Sequence, residues 1–393
     1  MSETLYFGGT DYVAASQALQ DTVAQAAYIN PTTSNATVIQ QWVAKTFNTL
    51  GTTQFMSNTF SSNSFNTIAV TTGSSTAYSG GVLISDGRVV FVPYTAQNVG
   101  VFNPYTNSFT SYTATGLGTG NKFSGGVLLP DGRVLFVPFT SANVGVFNTV
   151  TNTYSNAAPS QGLSSAYSGG VLAPNGNVIF IPYASANVGT YNTITNVYSN
   201  ALVVSTGSAT AYEGGVLHPN GNVYCVPYGA TNVGIYNVSA GTFSTVSITG
   251  NGLPANPFLG GVLVPDGRII FVPYGSSNVG SFNTVTGLYS NASTVGIATA
   301  TANSGGCIAS NGSVFFCPYS ATTIRFFNPN TNTYSSVTGT TNPAGSSAYN
   351  GCCVLPDGRI IMVPYAAANI GVLSGGSPLP PQLCLHPIFN KSF

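Results

Sequence analysis

Two kinds of segment alternate along most of this chain of 393 residues. One kind is apolar at successive positions, as in Val89-Val90-Phe91-Val92, which is the pattern of a strand covered on both faces by neighbouring sheets. The other is rich in hydroxyls with one central aromatic, as around Phe109, which suits an outer strand facing water. Turn residues separate them. Gly80 to Ser85 reads as a first short strand, and Asp86-Gly87 as a two-residue hairpin turn of the type that needs positive φ. Arg88 to Tyr94 follows as a second strand, with Pro93 ending its ladder. Asn98 to Asn103 is the third strand. The turn Pro104-Tyr105-Thr106-Asn107 then delivers a fourth, polar strand centred on Phe109.

This unit recurs. Its leading glycine appears at Gly80, Gly125, Gly169, Gly214, Gly260, Gly305 and Gly351, at intervals of 44 to 46 residues, the mark of an array of identical supersecondary pieces. Seven four-stranded units close into a ring, so the predicted fold is all-β, a seven-bladed β-propeller. The fourth-strand aromatic recurs at Tyr154, Tyr198, Phe243, Tyr289 and Tyr334. Phe65 is a further copy lying ahead of the first unit, while the last unit stops after its third strand at Asn369-Ile370-Gly371. A strand around Phe65 is therefore expected to finish the last blade and remove a free edge. The propeller spans 58–374. Ahead of it, 1–57 is read as a helical segment: Val38, Ile39, Trp42, Val43, Phe47 and Leu50 fall at helical spacing between Asn35 and Gly51. Residues 375–393 form an extended, Pro-containing tail.

Charge changes the picture. Only 4% of residues are charged, against an average of about 25%, and eight bases balance eight acids. No field exists to draw in nucleic acid. Residues 1–30 lack the basic start and apolar run of a secretory signal, and no stretch approaches the length of a membrane span. Cys225, Cys307, Cys317 and Cys353 occupy positions that are Phe or Val in other repeats, Cys352 replaces a repeat glycine, and Cys384 lies in the tail. The assumed turn puts Cys307 opposite Phe316, with Cys307 and Cys317 on opposite faces. Free thiols fit synthesis in the reducing cytoplasm.

The string Leu-Pro-Asp-Gly-Arg-Val, followed by Phe-Asn-x-x-Thr-Asn-x-Tyr, resembles the kelch-type propeller repeat over about residues 60–374. Here Val-Pro-Tyr or Val-Pro-Phe stands where that family usually has a diglycine, and Phe or Tyr where it has tryptophan. The resemblance implies a protein-binding role. The family's oxidase branch carries copper on tyrosines and histidines. With only His218 and His386 in the chain, that site is not transferred, and no cofactor is expected.

Candidate chemistry is sparse. Asp86/Arg88, Asp131/Arg133, Asp266/Arg268 and Asp357/Arg359 flank the first turn in four blades, and read as local ion pairs worth about 1 kcal/mol at most. Tyr94, Phe139, Tyr183, Tyr228, Tyr274, Tyr319 and Tyr365 follow the second strands. Asn98, Asn143, Asn187, Asn232, Asn278 and Asn369 come soon after them. Aromatic faces with amides can hold carbohydrate; equally, the tyrosines can cover blade junctions while the asparagines cap loops. Glu213, His218 and Arg325 break the repeat and read as drift. The expectation is a non-enzymatic structural or recognition protein, a surface subunit of a virus particle or extracellular assembly whose partners are other subunits. The alternative is a lectin using the Tyr/Asn face to bind glycans.

Overall fold

In a computed structural model the described residues are 64–70, 75–160, 164–204, 209–294, 301–341 and 345–375; the expected helices and the tail beyond Gly375 lie outside them. Among the described residues, twenty-eight strands, numbered in chain order, form seven four-stranded antiparallel sheets. The first blade is β2 (Tyr78–Leu83), β3 (Val89–Pro93), β4 (Asn98–Asn103) and β5 (Ser108–Thr113), paired in that order. The three inner strands are almost wholly buried, whereas β5 alternates between exposed and half-buried positions. That gradient matches the apolar and hydroxyl-rich segments of the sequence. Innermost strands of successive blades pack side by side right round the ring, blade seven's against blade one's included. The seven-bladed propeller is thus the fold.

Its closure follows the expected device. In the last sheet β1 (Ser64–Ala69) pairs antiparallel with β28 (Asn369–Ser374), with Phe65 opposite Leu373 and Ile68 opposite Ile370. Strands from both ends of the chain build one sheet, so no blade is left with an unpaired inner strand.

The first turn differs from expectation. In blade one Ile84 N donates to Arg88 O (2.9 Å) and Gly87 N to Ile84 O (2.9 Å), which leaves three residues in the loop. Gly87 alone takes positive φ, at 85°: this is a type I turn closed by a glycine bulge, not a two-residue turn. The extra loop residue shifts every pairing by one. Cys307 consequently lies opposite Phe315, and Cys307 and Cys317 face the same side, toward blade seven. There Cys352 Sγ lies 3.3 Å from Cys307 Sγ, and Cys317 Sγ lies 3.2 Å from the Gly351 carbonyl. The five described cysteines are free and buried.

The Asp–Arg pairs do more than hold their own hairpins. Arg88 reaches the next blade, donating to the Thr149 carbonyl (2.8 Å) and to Asn152 Oδ1 (3.2 Å). Arg359 likewise bridges blade seven to Pro104 and Asn107 of blade one. Blade four lacks the arginine, and His218 Nε2 meets Thr284 Oγ1 of blade five at 3.1 Å instead. Arg325 also has a structural partner in the pattern. A Cβ on the equivalent glycine, Gly100, would come 2.9 Å from the first-strand ring of Tyr78. In blade six that aromatic is replaced by the small Asn303, which opens room for the Arg325 side chain.

Candidate functional site

Each second strand ends in proline, and the residue after it is pinned by backbone bonds. Tyr94 N donates to Ala77 O (2.9 Å), and the Tyr94 carbonyl accepts from Lys122 N of the next blade (2.8 Å). Repetition of this lock brings seven aromatic side chains together around the axis on one face. Adjacent centroids are 5.5 to 5.9 Å apart through Tyr94, Phe139, Tyr183, Tyr228, Tyr274, Tyr319, Tyr365 and back to Tyr94. Successive ring planes differ by 39° to 62°, so the rings stand around the axis and do not lie flat across it. Hydroxyls pair between Tyr94 and Tyr365, between Tyr183 and Tyr228, and between Tyr228 and Tyr274. The side chains therefore converge into a hydroxyl collar, with a gap at Phe139.

The asparagines named beside these aromatics do not join the collar. They begin the third strands, further from the axis. Asn98 Oδ1 accepts from the buried Tyr78 hydroxyl at 2.5 Å and Asn369 Oδ1 from Tyr349 at 2.5 Å, while Asn232 accepts from Tyr212. Asn187 Nδ2 donates to the Asn200 carbonyl at 2.5 Å. Asn143 and Asn278 are tied through their backbone N–H groups to Ser141 Oγ (3.1 Å) and Ser276 Oγ (3.0 Å). These contacts stay within single blades.

A second ring, near the start of the first strands, is polar. Asn350 Nδ2 donates to Ser79 Oγ (3.3 Å), Ser79 Oγ meets Ser124 Oγ (3.4 Å), Ser124 Oγ meets Ser168 Oγ (3.0 Å), and Ser168 Oγ donates to Glu213 Oε1 (3.3 Å). Ser304 Oγ joins from the other side, donating to Asn350 Oδ1 at 2.7 Å. The run is broken between Glu213 and Ser304, where blade five carries Leu259. Hydrogen bonds aligned head to tail in this way polarise one another, here toward the carboxylate.

Glu213 is half-buried near the start of β14 (Tyr212–Leu217), the innermost strand of blade four. Burial pushes its carboxyl up from the ordinary 4.5 to about 7, and the Ser168 hydrogen bond only partly offsets that. Tyr94 is pushed up to about 12, chiefly by burial; Tyr183, Tyr228, Tyr274 and Tyr365 are raised further, again chiefly by burial, with the Glu213 charge contributing to each. These five phenols stay protonated through the neutral range.

The junction of blades four and five departs from the repeat in more ways. Six blade junctions carry a hydrogen bond onto the ring residue's carbonyl, but opposite Tyr228 the donor position is Pro257, which has no N–H. The connection here, residues 248–257, is longer than any other between described blades. A cavity of about 630 Å³ opens beside it, lined by Tyr228 of the collar, Thr210, Asn251, Leu253, Asn256 and neighbouring residues. Lys122 was not singled out in the sequence, although a lysine at a position that is Ala77, Ala166, Ala211, Ala302 and Ala348 elsewhere is a visible signal. It is buried in blade two with Nζ 3.3 Å from the Gly120 carbonyl, and burial lowers its ammonium to about 8.

No family model and no curated protein matches the chain. Among solved structures, it is similar to a virginiamycin B lyase from Staphylococcus aureus, solved with quinupristin as a catalytically inactive variant with a histidine replaced by alanine (17% identity, TM-score 0.66, covering 80% of this chain and 99% of that one). It is also similar to a fungal alcohol oxidase in complex with copper (14% identity, TM-score 0.60, 80% and 76% covered). A third is the extracellular domain of a putative one-component system from B. thetaiotaomicron (11% identity, TM-score 0.62, 80% covered), of which this chain spans 40%. At such identities the likeness shows the propeller fold alone, and it gives no support to a kelch assignment over other propellers. Among the described residues, no group of three or more His, Cys, Asp or Glu is placed to hold a metal ion. The expectation of a non-enzymatic virion subunit, or of a lectin, is corrected by these neighbours: they are a lyase, an oxidase and the extracellular domain of a putative one-component system, and none points to either role. That expectation rested on a charge-poor surface, a property that leaves the axial mouth out of account.

Proposed function

We propose that this propeller is a small-molecule enzyme of the lyase type, working at the axial mouth beside the junction of blades four and five, with Glu213 as its proton acceptor. One observation carries the reading: the departures from the repeat at Glu213, Leu259, Pro257 and the 248–257 connection converge on one mouth, next to a cavity of about 630 Å³. A base is most effective when its pKa lies near the working pH, and Glu213 at about 7 meets that condition. An elimination needs no second carboxylate. Glu213 takes the proton from carbon, the C–H electron pair becomes the new double bond, and the leaving atom departs with a proton from a collar tyrosine. The proton on Glu213 then returns to that phenolate, restoring the site.

The lyase with the same fold loses activity when one histidine is replaced. The described histidine of this chain, His218, sits in a first turn, on the face opposite the collar, and is engaged with Thr284. Glu213 therefore takes the base role in this reading. The test incubates the full chain and its Glu213→Gln variant with a small-molecule extract and follows both by mass spectrometry. Wild type is expected to consume a compound and release two fragments whose masses sum to the parent with no water added, or an isomer of unchanged mass from a ring. No consumption by wild type, or equal consumption by Glu213→Gln, refutes the proposal.

A further inference from the structure

We infer that the group anchored in the axial mouth is a primary ammonium on the substrate, held between the Glu213 carboxylate and the tyrosine hydroxyl collar. This inference rests on the axial mouth being the site proposed above; the ammonium takes one Glu213 oxygen and lowers the carboxyl's pKa, so the other oxygen abstracts the proton as a weaker base than in the empty site. Three features of the wall support it.

The first is charge. Among the described residues the other acids are Asp86, Asp131, Asp266 and Asp357, each paired with its own arginine at 2.6 or 2.7 Å on the opposite face. Glu213 is left as a carboxylate without a cation. A single negative charge among neutral oxygens matches a monocation; hard divalent metals call for six or more oxygens, usually with several carboxylates. Lys122 does not fill the role, because its ammonium is bound to the Gly120 carbonyl in a blade-two loop.

The second is hydrogen-bond polarity. Ser168 donates to one side of Glu213, while on the other side Leu259 offers no donor. The break in the polar belt lies in blade five, whose first strand follows the cavity-lining connection 248–257. An incoming group that only donates completes the belt, and –NH₃⁺ has three donors and no acceptor.

The third is size. Ring centroids 5.5 to 5.9 Å apart set six hydroxyls and the Phe139 ring around a narrow opening, in which a small nitrogen on the Glu213 side comes within N–H···O reach of the nearest hydroxyls. A quaternary ammonium, bulkier and without N–H, loses those bonds.

The test is an NMR titration of the full chain at pH 8 with propylammonium chloride and with its neutral analogue 1-propanol, ionic strength being held with tetramethylammonium chloride. Propylammonium is expected to bind at least about tenfold more tightly than 1-propanol, with shifts at the collar tyrosines. The preference should vanish in Glu213→Gln, whose fold is checked by melting. It should also fall about tenfold from pH 8 to pH 6 as Glu213 takes up its proton, since the facing groups, Ser168 and the tyrosines 94, 183, 228, 274 and 365, do not titrate in that window. Equal binding of 1-propanol, an unchanged preference in Glu213→Gln, or displacement by potassium chloride at the same concentration overturns the inference. The two proposals fail separately. Loss of turnover in Glu213→Gln with no ammonium preference leaves the lyase reading standing; ammonium binding without turnover by wild type leaves only the anchor.

Discussion

Replacing Glu213 by Gln should stabilise this protein at alkaline pH and leave its stability unchanged in acid. In the unfolded chain the carboxyl ionises at its ordinary value of 4.5, whereas burial in the folded belt raises it to about 7. Between those values the folded state binds more protons than the unfolded one, so stability falls as pH rises. Each unit of difference is worth 1.36 kcal/mol, which makes the full cost of ionising Glu213 in place about 3 kcal/mol above pH 7. Below pH 4.5 the cost is absent. Glutamine keeps an oxygen for the Ser168 hydroxyl and carries no charge, so it removes the cost without opening a cavity. Denaturant unfolding of both proteins across pH 4–8.5 would measure the difference directly. At pH 8 the variant should be more stable by about 3 kcal/mol, roughly 5 °C in melting midpoint for a chain of this size, with the gap closing as pH falls toward 4.5. A pH-independent difference, or a wild type more stable than the variant at pH 8, would refute the burial argument and remove the basis for a near-neutral base at the axis.

Removing residues 1–70 takes away the strand that pairs with Asn369–Ser374 over six residue pairs; the truncated chain should lose cooperative melting or drop by about 10 °C or more, and an unchanged melt would refute closure by the N-terminal strand. Arg88→Ala removes a half-exposed ion pair and the bond to the Thr149 carbonyl of blade two, so equilibrium unfolding should show a loss of about 1 kcal/mol that shrinks in high salt; a loss several times larger would mean that the bridge between blades, and not the local pair, dominates.

The architecture was legible because a repeat states the same local rules many times over. Period, turn glycines and the copy of the fourth strand at Phe65 led to the ring and its closure without any long-range information. The loop in the first turn was misread by one residue, and that is instructive: Asp-Gly suits both a two-residue turn and the end of a type I turn with a glycine bulge, and only the partner of Ile84 distinguishes them. A slip of one reverses faces in a strand, so a two-residue turn puts Cys307 and Cys317 on opposite sides, whereas in the structure both approach Cys352.

The site was illegible for the complementary reason. Glu213, Pro257 and Leu259 each look like drift when set against their own repeat column, and the ring of aromatics looks like part of the scaffold because an aromatic recurs there in every blade. Their meaning comes from angular position around an axis that the linear chain does not display. Glu213 belongs to blade four, whereas Leu259 and Pro257 open blade five; closure of the ring sets them side by side. A seven-fold scaffold puts identical groups at every angle, so an axial ligand meets no preferred orientation until the repeat is broken. The one described acid without an arginine, the missing belt donor and the missing backbone donor all fall at one angle. Drift spread over seven blades would not coincide with the longest connection and a cavity of about 630 Å³. Arg325 and Asn303 show another outcome: there two departures fall inside one blade, the small Asn303 making room for the Arg325 side chain where other blades pair an aromatic with glycine. Departures that offset one another maintain the fold; those that leave the Glu213 carboxylate without a cation at the axis are the ones on which the proposed site is built.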